Sequence, residues 1–224
     1  MTPYYDHGGV TLYHGDCREI TDWLSADVLV TDPPYGIGWC RSLNRRRASQ
    51  AHAGIANDGD TAARDEVLET WGLRPAVVFG SLYAPFPDGH VQALVWRKPG
   101  DAGVVGSVTG FRRDVELIFL VGEWPKREVR WSSVLDSGMR MVGGSHSPAG
   151  RYGHPHAKPV DVMEQLIAAC PAGVVADPFA GSGSTLVAAR HQGRAAIGVE
   201  IDERYCEVIA RRLDQGSLFA KVAE

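Results

Sequence analysis

The segment Val174-Val-Ala-Asp-Pro-Phe-Ala-Gly-Ser-Gly-Ser-Thr185 is the most informative about the fold, because an apolar run leads through glycines into a helical pattern. Gly181 and Gly183 permit a sharp turn and a close approach of the backbone to a ligand. The helix that follows presents free N–H groups and partial positive charge to the polar end of that ligand. The segment therefore predicts a nucleotide-like ligand beside a buried strand.

The turn nearly matches the dinucleotide-binding fingerprint G-x-G-x-x-G, but Leu186 stands at the third glycine. The next apolar run, Ala195–Val199, leads into Glu200, which is placed to accept hydrogen bonds from both hydroxyls of a ribose. The pattern indicates a ribose but does not require a pyrophosphate. A nicotinamide-dependent dehydrogenase stays open as an alternative at this point.

Apolar runs bounded by turn residues alternate with helical patterns, which predicts an α/β fold with a mainly parallel, twisted sheet and helices on both faces. Strands are predicted at Val10–Tyr13, Val28–Thr31, Ala76–Phe79, Ala93–Trp96, Val115–Val121, Val174–Ala176 and Ala195–Val199. Helices are predicted from Pro159 to just before Pro171, from after Gly183 to near Gly193, and from about Asp202 to Leu213 with Gly216 beyond the end. Residues 132–153 show neither period and are predicted to be irregular.

The composition of the 224 residues predicts one compact domain, since 44% hydrophobic and 22% charged residues suffice for a single core. No apolar run is long enough to span a membrane and the N-terminus carries no export signal, so a cytoplasmic protein is expected. The four cysteines form no C-x-x-C pair, and no carboxylate or thiol completes a metal site with His146, His154 and His156. Neither a disulfide framework nor a metal site is predicted.

A second informative segment, Val28-Leu-Val-Thr-Asp-Pro-Pro-Tyr35, is an apolar run that leads into an acid, two prolines and a tyrosine. The prolines restrict the backbone and hold Asp32 rigidly at the end of a strand. An amino group needs two acceptors, which the Asp32 side chain and the Pro33 carbonyl supply. Tyr35 offers a flat face on which a planar base can stack, worth about 1–3 kcal/mol.

The two segments together resemble the paired D-P-P-Y and D-P-F-x-G-S-G-T signatures of the amino-methylating DNA methyltransferases. The D-P-P-Y motif at Asp32–Tyr35 precedes the cofactor motif at Asp177–Thr185, which is the circularly permuted order of the family's beta class. Tyr13-His-Gly-Asp16-Cys17 looks like the family segment whose acid meets the cofactor adenine. Gly153-His-Pro-His-Ala-Lys-Pro159 is similar to the H-P-x-x-K-P segment that supports the methionine end of the cofactor.

The resemblance implies a Rossmann-like methyltransferase fold, S-adenosyl-L-methionine as the cofactor and double-stranded DNA as the substrate. The implied catalytic residues are Asp32, Pro33, Pro34 and Tyr35. The implied cofactor-binding residues are Asp16, Cys17, Asp32, His156, Lys158, Pro159, Asp177, Phe179, Ala180, Gly181, Gly183, Thr185, Glu200 and Ile201. No metal is implied, and a homodimer is a candidate assembly.

Basic side chains predict where DNA is contacted, although the net charge of −4 argues against a protein that coats nucleic acid non-specifically. Residues 97–158 carry ten Lys and Arg against six acids, net +4. Residues 97–150, where the resemblance stops, are interpreted as an inserted target-recognition segment within the single domain 1–224. The predicted DNA contacts are Arg41, Arg45, Arg46, Arg47, Lys98, Arg112 and Arg113, although the arginine cluster is also compatible with a solvated loop.

The implied reaction is transfer of a methyl group to the exocyclic amine of a flipped base, and Asp rather than Ser before the prolines favours N6 of adenine over N4 of cytosine. A methyltransferase of RNA or of protein glutamine would resemble N-P-P-Y after the cofactor loop. A dehydrogenase leaves D-P-P-Y unexplained, and a catalytically inactive DNA-binding module leaves the complete set of site residues unexplained. No nuclease motif is present, so any restriction activity would belong to another chain.

Overall fold

The computed structural model describes residues 1–37, 59–99, 110–126, 128, 130–138 and 157–220. Within these residues, nine strands form one sheet in the order β1-β2-β9-β8-β3-β4-β6-β5-β7. The strands are β1 Tyr5–His7, β2 Val10–His14, β3 Val28–Thr31, β4 Ala76–Gly80, β5 His90–Arg97, β6 Val115–Val121, β7 Val134–Asp136, β8 Val175–Asp177 and β9 Ala196–Glu200. The predicted α/β class is thereby confirmed.

The centre of the sheet is parallel and its margins contain the antiparallel pairs. The pairs β2–β9, β9–β8, β8–β3 and β3–β4 are parallel, as is β5–β7. The pairs β1–β2, β4–β6 and β6–β5 are antiparallel. The carboxyl ends of β2, β9, β8, β3 and β4 therefore meet at one edge of the sheet.

Helices cover both faces of the sheet. They are α1 Ala62–Trp71, α2 Val160–Ala169, α3 Ser184–His191 and α4 Glu203–Ala220, together with a short 3₁₀ helix, Asp22–Ser25. Val28 and Val30 pack in the cluster that contains α2, α3 and α4, whereas Leu29 between them packs in the cluster that contains α1 and the 3₁₀ helix. This alternation follows from the two-residue period of a strand. Burying each large apolar side chain contributes about 1.5–3 kcal/mol.

All seven predicted strands are present, and β5 begins three residues earlier than expected. The sequence patterns missed β1, β7 and α1, and the prediction that residues 132–153 are irregular is wrong for β7. The hydrophobic pattern did not indicate helix α1 because one of its buried residues is the charged Arg64. Arg64 is accommodated there by the Pro85 carbonyl and by Asp65.

The prediction that the last helix ends before Gly216 is wrong, since α4 continues to Ala220. An interior glycine costs a helix only about 1 kcal/mol, which does not by itself end one. Residues 115–121, inside the segment interpreted as an insertion, form β6 between β4 and β5. The segment contributes a second strand to the sheet, since β7 also lies within it and pairs with β5. Of the described helices, none combines the length and hydropathy needed to cross a bilayer.

Candidate active site

Three acids stand at the carboxyl edge of the parallel strands. Asp32 directly follows β3, Asp177 is the last residue of β8, and Glu200 is the last residue of β9. The chain runs from β8 to β9 in one direction and from β3 to β4 in the other, so the strand order reverses between β8 and β3. Ligands of open α/β sheets bind in the crevice at such a reversal. The fold therefore places both sequence motifs at the expected crevice.

The two motifs are joined directly by a buried hydrogen bond. The hydroxyl of Thr31 donates to Asp177 Oδ1 at 2.7 Å, and the Phe179 amide donates to the same oxygen at 3.2 Å. Burial, only partly offset by hydrogen bonds from Thr185 and Thr31, raises the pKa of Asp177 to about 6. Asp177 therefore connects the turn after β8 to β3, the strand that leads to Asp32.

The glycine turn after β8 is fixed by the carboxylate of Glu200. Gly181 N–H donates to Glu200 Oε2 at 2.7 Å, and Asp202 N–H donates to Glu200 Oε1 at 2.8 Å. Gly181 and Gly183 have φ of 53° and 79°, conformations that favour glycine, and Gly183 caps α3. Burial, partly offset by the backbone bonds from Asp202 and Gly181, raises the pKa of Glu200 to about 7.

Leu186 occupies the third fingerprint position because the close approach of helix and strand is provided elsewhere. A Cβ on Gly198 of β9 would lie 2.6 Å from Leu186 Cδ1, so the missing side chain is on the strand and not on the helix. Leu186 is fully buried there. In the dinucleotide fingerprint the small residue at this contact is on the helix. Here the helix carries Leu186 and the strand carries the glycine, Gly198.

Asp177 and Glu200 form a pair of buried acids without a basic partner among the residues that the structure describes. Buried carboxylates are costly unless they are hydrogen-bonded or face positive charge. A ligand that brings cationic groups and ribose hydroxyls to this crevice satisfies both acids. S-adenosylmethionine carries a sulfonium, an ammonium and a ribose, and so it fits the groups present.

The segment after β2 lies at the same edge, since Gly15 N–H donates to the Glu200 carbonyl at 2.9 Å. Asp16 is paired with Arg18, with Nη2 to Oδ2 at 2.5 Å. Cys17 is buried, and its carbonyl accepts from Trp23 Nε1 at 2.9 Å. Ile201, immediately after Glu200, has 46% of its surface exposed beside this crevice. These residues are close enough in the fold to belong to one ligand site.

A cluster of charged groups surrounds Asp32. Lys158 Nζ lies 2.8 Å from Asp32 Oδ2, 2.7 Å from Glu116 Oε1 and 3.1 Å from the Tyr35 hydroxyl. That hydroxyl lies 2.7 Å from Asp32 Oδ1 and 2.5 Å from Glu116 Oε1. Lys98 Nζ lies 2.7 Å from Glu116 Oε2. Two ammonium groups therefore balance two carboxylates around one tyrosine hydroxyl.

The electrostatics of this cluster follow from burial and from the paired charges. Burial raises the pKa of Asp32 although Lys158 opposes it. Against the effect of burial, Lys158 and Lys98 lower the pKa of Glu116 to about 2. Against the same effect, Asp32 and Glu116 raise the pKa of Lys158. Burial and the two carboxylates raise the pKa of Tyr35 well above its ordinary value. At neutral pH Glu116 and Lys158 are charged and Tyr35 is neutral.

Glu116 is a site residue that the sequence interpretation missed. It lies in the run Val115-Glu-Leu-Ile-Phe-Leu-Val121, where it is the one acid in an otherwise apolar strand. A buried charge in such a strand was the available signal, because ionised groups are rarely buried without a partner. The partners Lys158 and Tyr35 lie far away in the sequence and did not suggest it.

Several predicted site residues have other partners in the fold. Lys98, predicted to contact DNA, pairs with Glu116. Arg112 pairs with Asp114 at 2.9 Å, and the Arg113 guanidinium lies 5.0 Å from the centre of the Tyr83 ring. Pro159 caps α2, and its neighbour Lys158 accepts a 2.7 Å hydrogen bond from Ser184 at its carbonyl. The predictions for Arg41, Arg45, Arg46, Arg47 and His156 lie outside the described residues.

The remaining predicted residues lie at the crevice. Pro33 and Ala180 are buried, whereas Pro34 and Phe179 are half-buried. The turn is braced from α4, since Arg212 donates to the Ser182 carbonyl. Among the residues described, no three His, Cys, Asp or Glu side chains stand together as metal ligands would.

Fold and site define a Rossmann-like methyltransferase that acts on an amino group. A model of the family described as DNA methylase, which covers N6 and N4 methylation, matches residues 49–211. The chain belongs to this family, and the predicted family and its S-adenosylmethionine cofactor are confirmed. The DNA adenine methyltransferase YhdJ of Escherichia coli (strain K12) is 41% identical over 259 residues, covering 94% of this chain and 84% of YhdJ.

Two solved structures share the fold. The M1.HpyAVI–SAM complex has a TM-score of 0.59 and 19% identity, covering 91% of this chain and 98% of that chain. The cytosine-N4-specific PvuII DNA methyltransferase has a TM-score of 0.61 and 18% identity, covering 94% and 88%. The matching family covers both N6 and N4 methylation, so membership leaves the methylated base open.

Proposed function

We propose that this chain transfers a methyl group from S-adenosylmethionine to N6 of adenine in double-stranded DNA, at a base rotated out of the helix. The observation that carries the proposal is the position of Asp32 one strand away from the cofactor turn, with Thr31 hydrogen-bonded to Asp177. This arrangement brings an amino-group acceptor and a methyl-donor site to the same crevice.

Asp32 and the Pro33 carbonyl accept hydrogen bonds from the exocyclic amine. The nitrogen of that amine is a poor nucleophile because its lone pair is delocalised into the ring. Two acceptors favour a tetrahedral nitrogen and localise the pair. The raised pKa of Asp32 makes its carboxylate a stronger acceptor than a solvated one and suits it to take the proton once the nitrogen is methylated.

The cofactor, when bound, supplies an activated methyl group on a sulfonium. The chain contributes mainly alignment of the nitrogen with that group, which can lower the barrier by about 7–11 kcal/mol. Glu200 accepts hydrogen bonds from the ribose hydroxyls, and Asp16 with Ile201 holds the adenine. The glycine turn, together with His156 and Pro159, supports the methionine end, and Lys158 acts there indirectly through its ion pair with Asp32.

DNA is held by two groups of basic side chains. The Arg41–Arg47 cluster binds phosphates. Residues 97–150 outside β6, including Arg112 and Arg113, recognise the target sequence. Lys98, which pairs with Glu116, is a further proposed DNA contact. Base flipping costs a few kcal/mol, which stacking on Tyr35 and phosphate contacts offset. A cytoplasmic location and a homodimeric assembly are part of this proposal.

The second candidate is methylation of N4 of cytosine, which uses the same two acceptors. Asp rather than Ser before the prolines supports adenine, as does YhdJ, the 41% identical relative named an adenine methyltransferase. Labelled S-adenosylmethionine and DNA, followed by digestion to nucleosides and mass spectrometry, decides between them. N6-methyladenine supports the proposal, and N4-methylcytosine supports the second candidate. The absence of both products indicates an inactive DNA-binding module.

A further inference from the structure

The Lys158 ammonium has as many partners as it has hydrogens. A lysine ammonium carries three N–H donors. Asp32 Oδ2, Glu116 Oε1 and the Tyr35 hydroxyl oxygen are within 2.8, 2.7 and 3.1 Å of Nζ. Because all three donors are used, the Tyr35 oxygen accepts one of them. The hydroxyl hydrogen of Tyr35 must then point to another acceptor.

Two acceptors compete for that single hydrogen. Asp32 Oδ1 lies 2.7 Å and Glu116 Oε1 lies 2.5 Å from the Tyr35 oxygen. A tyrosine hydroxyl donates only one hydrogen bond at a time. When the hydrogen points to Asp32, both oxygens of that carboxylate are engaged, Oδ2 by Lys158 and Oδ1 by Tyr35. A carboxylate oxygen can accept two hydrogen bonds, as Glu116 Oε1 does when both Lys158 and Tyr35 donate to it. An Asp32 Oδ1 that already accepts from Tyr35 is nevertheless a weaker acceptor for an incoming amino group.

We propose that Glu116 is a positioning residue that takes the Tyr35 hydroxyl hydrogen when the target base enters, and so frees Asp32 Oδ1 to accept the base amine. This inference rests on the proposed function, since it concerns the same amine. No covalent bond changes: the hydroxyl rotates about its C–O bond from one carboxylate to the other.

The placement of Glu116 suits this role. Lys98 binds its outer oxygen, Oε2, at 2.7 Å, which leaves Oε1 turned toward Lys158 and Tyr35. Only 10% of its side chain is exposed, so water competes little for Oε1. The two lysines keep it ionised, as its pKa of about 2 records. A permanently charged acceptor is always ready to receive the hydroxyl hydrogen.

The test is a rescue experiment with Glu116→Gln, Tyr35→Phe and the double variant. Glu116→Gln weakens the alternative acceptor, so Tyr35 stays on Asp32 and the single-turnover methylation rate falls by about 10- to 100-fold. Tyr35→Phe keeps the ring for stacking and removes the competing hydroxyl, so the rate of this single variant is the reference for the double variant. Adding Tyr35→Phe to Glu116→Gln restores the rate to that of Tyr35→Phe alone.

Two outcomes overturn the inference: a normal rate in Glu116→Gln, or a double variant that is no faster than Glu116→Gln alone. A merely structural Glu116 gives the second outcome, because removing the Tyr35 hydroxyl cannot then repair the loss. Glu69→Gln, on the exposed side of α1, removes one carboxylate charge elsewhere and serves as the matched control. Calorimetry with S-adenosylmethionine and thermal unfolding verify that each variant is folded. If wild type transfers no methyl group to DNA, the proposed function fails instead.

Discussion

The Thr31 hydroxyl donates a 2.7 Å hydrogen bond to Asp177 Oδ1, across 146 residues of sequence. Thr31 ends the strand that leads to Asp32, and Asp177 begins the turn that leads to Gly181. The bond therefore fixes the distance between the amine-binding and the cofactor-binding halves of the site. Alignment of methyl donor and acceptor depends on such a fixed distance, because misplacement by an ångström can cost about 100-fold in rate.

Replacing Thr31 by Val removes this bond while keeping the shape of the side chain. We expect a loss of about 1–3 kcal/mol in the free energy of unfolding, because a buried acceptor loses its partner. Affinity for S-adenosylmethionine is expected to fall as well. Urea denaturation and calorimetry measure the two effects. Thr11→Val, which removes an exposed bond to Asp6, is the control and should change neither; equal effects in the two variants would contradict a special role for Thr31.

Replacing Asp32 by Ala tests the acceptor of the base amine. The methylation rate is expected to fall by about 100-fold or more, as for loss of a group that acts in the transition state. Cofactor binding should be weakened but measurable. A radiolabel transfer assay and calorimetry report the two quantities, with Asp88→Ala as an exposed control. Activity within a few-fold of wild type rules out the assignment.

Replacing Glu200 by Ala tests its place on the ribose. The dissociation constant for S-adenosylmethionine should rise by an amount that corresponds to about 1.5–3 kcal/mol, the value of hydrogen bonds to a charged acceptor. Glu200→Gln should also be impaired, because Gly181 N–H and Asp202 N–H both require an acceptor and an amide offers only one oxygen. Calorimetry that finds unchanged affinity in both variants refutes the role.

The raised pKa of Glu200 makes cofactor binding depend on pH. Its pKa is about 7 in the free protein, so the group is half protonated at pH 7. Ribose hydroxyls donate best to the ionised form, so binding should release about half a proton at that pH. Affinity should decrease as pH falls from 8 to 6. Calorimetry in buffers of different ionisation enthalpy measures the release, and Glu200→Ala should abolish it.

The two buried acids Asp177 and Glu200 make the stability of the cofactor-free protein depend on pH. The pKa values of Asp177 and Glu200 are raised to about 6 and about 7, so their contribution is fully present below the unfolded values near 4 and is lost as pH rises through 6 and 7. Each pH unit between the unfolded and folded pKa corresponds to about 1.4 kcal/mol. The free energy of unfolding should therefore fall between about pH 4 and 7 and level off above, and it should fall less in Glu200→Ala. A flat urea-denaturation profile across this range would contradict the assignment.

Replacing Arg45, Arg46 and Arg47 by Ala tests the proposed phosphate grip. Specific and non-specific DNA should both bind more weakly, and the log–log salt slope should decrease by about 0.9 for each phosphate that the variant no longer neutralises. Sequence preference should survive, because binding to phosphates carries no sequence information. Exchange of Arg112 or Arg113 should instead alter the choice of site, at about 1–3 kcal/mol for each guanine that the side chain reads. An unchanged slope with altered sites in the triple variant would reverse the two roles.

Much of the fold was predictable from local pattern. The strands at Val28–Thr31 and Val115–Val121 begin and end where the sequence predicted, because continuous apolar runs of β-formers bounded by turn residues specify buried strands. The short edge strands β1 and β7 were missed, since three residues are too few to show a period. The acids at the carboxyl ends of β3, β8 and β9 were predictable as a site because parallel strands present these ends together.

The sequence by itself determined the family, the cofactor class and the order of the two motifs, because these reside in short contiguous segments whose backbone chemistry is local. Three contacts were visible only in the folded chain: Glu116 with Lys158, Lys98 with Glu116, and Thr31 with Asp177. Glu116 stands 81 residues from Tyr35, and Lys158 stands 123 residues from it. Antiparallel pairing of β6 beside β4 brings Glu116 to the crevice, and such pairing register arises from long-range packing that no local pattern encodes.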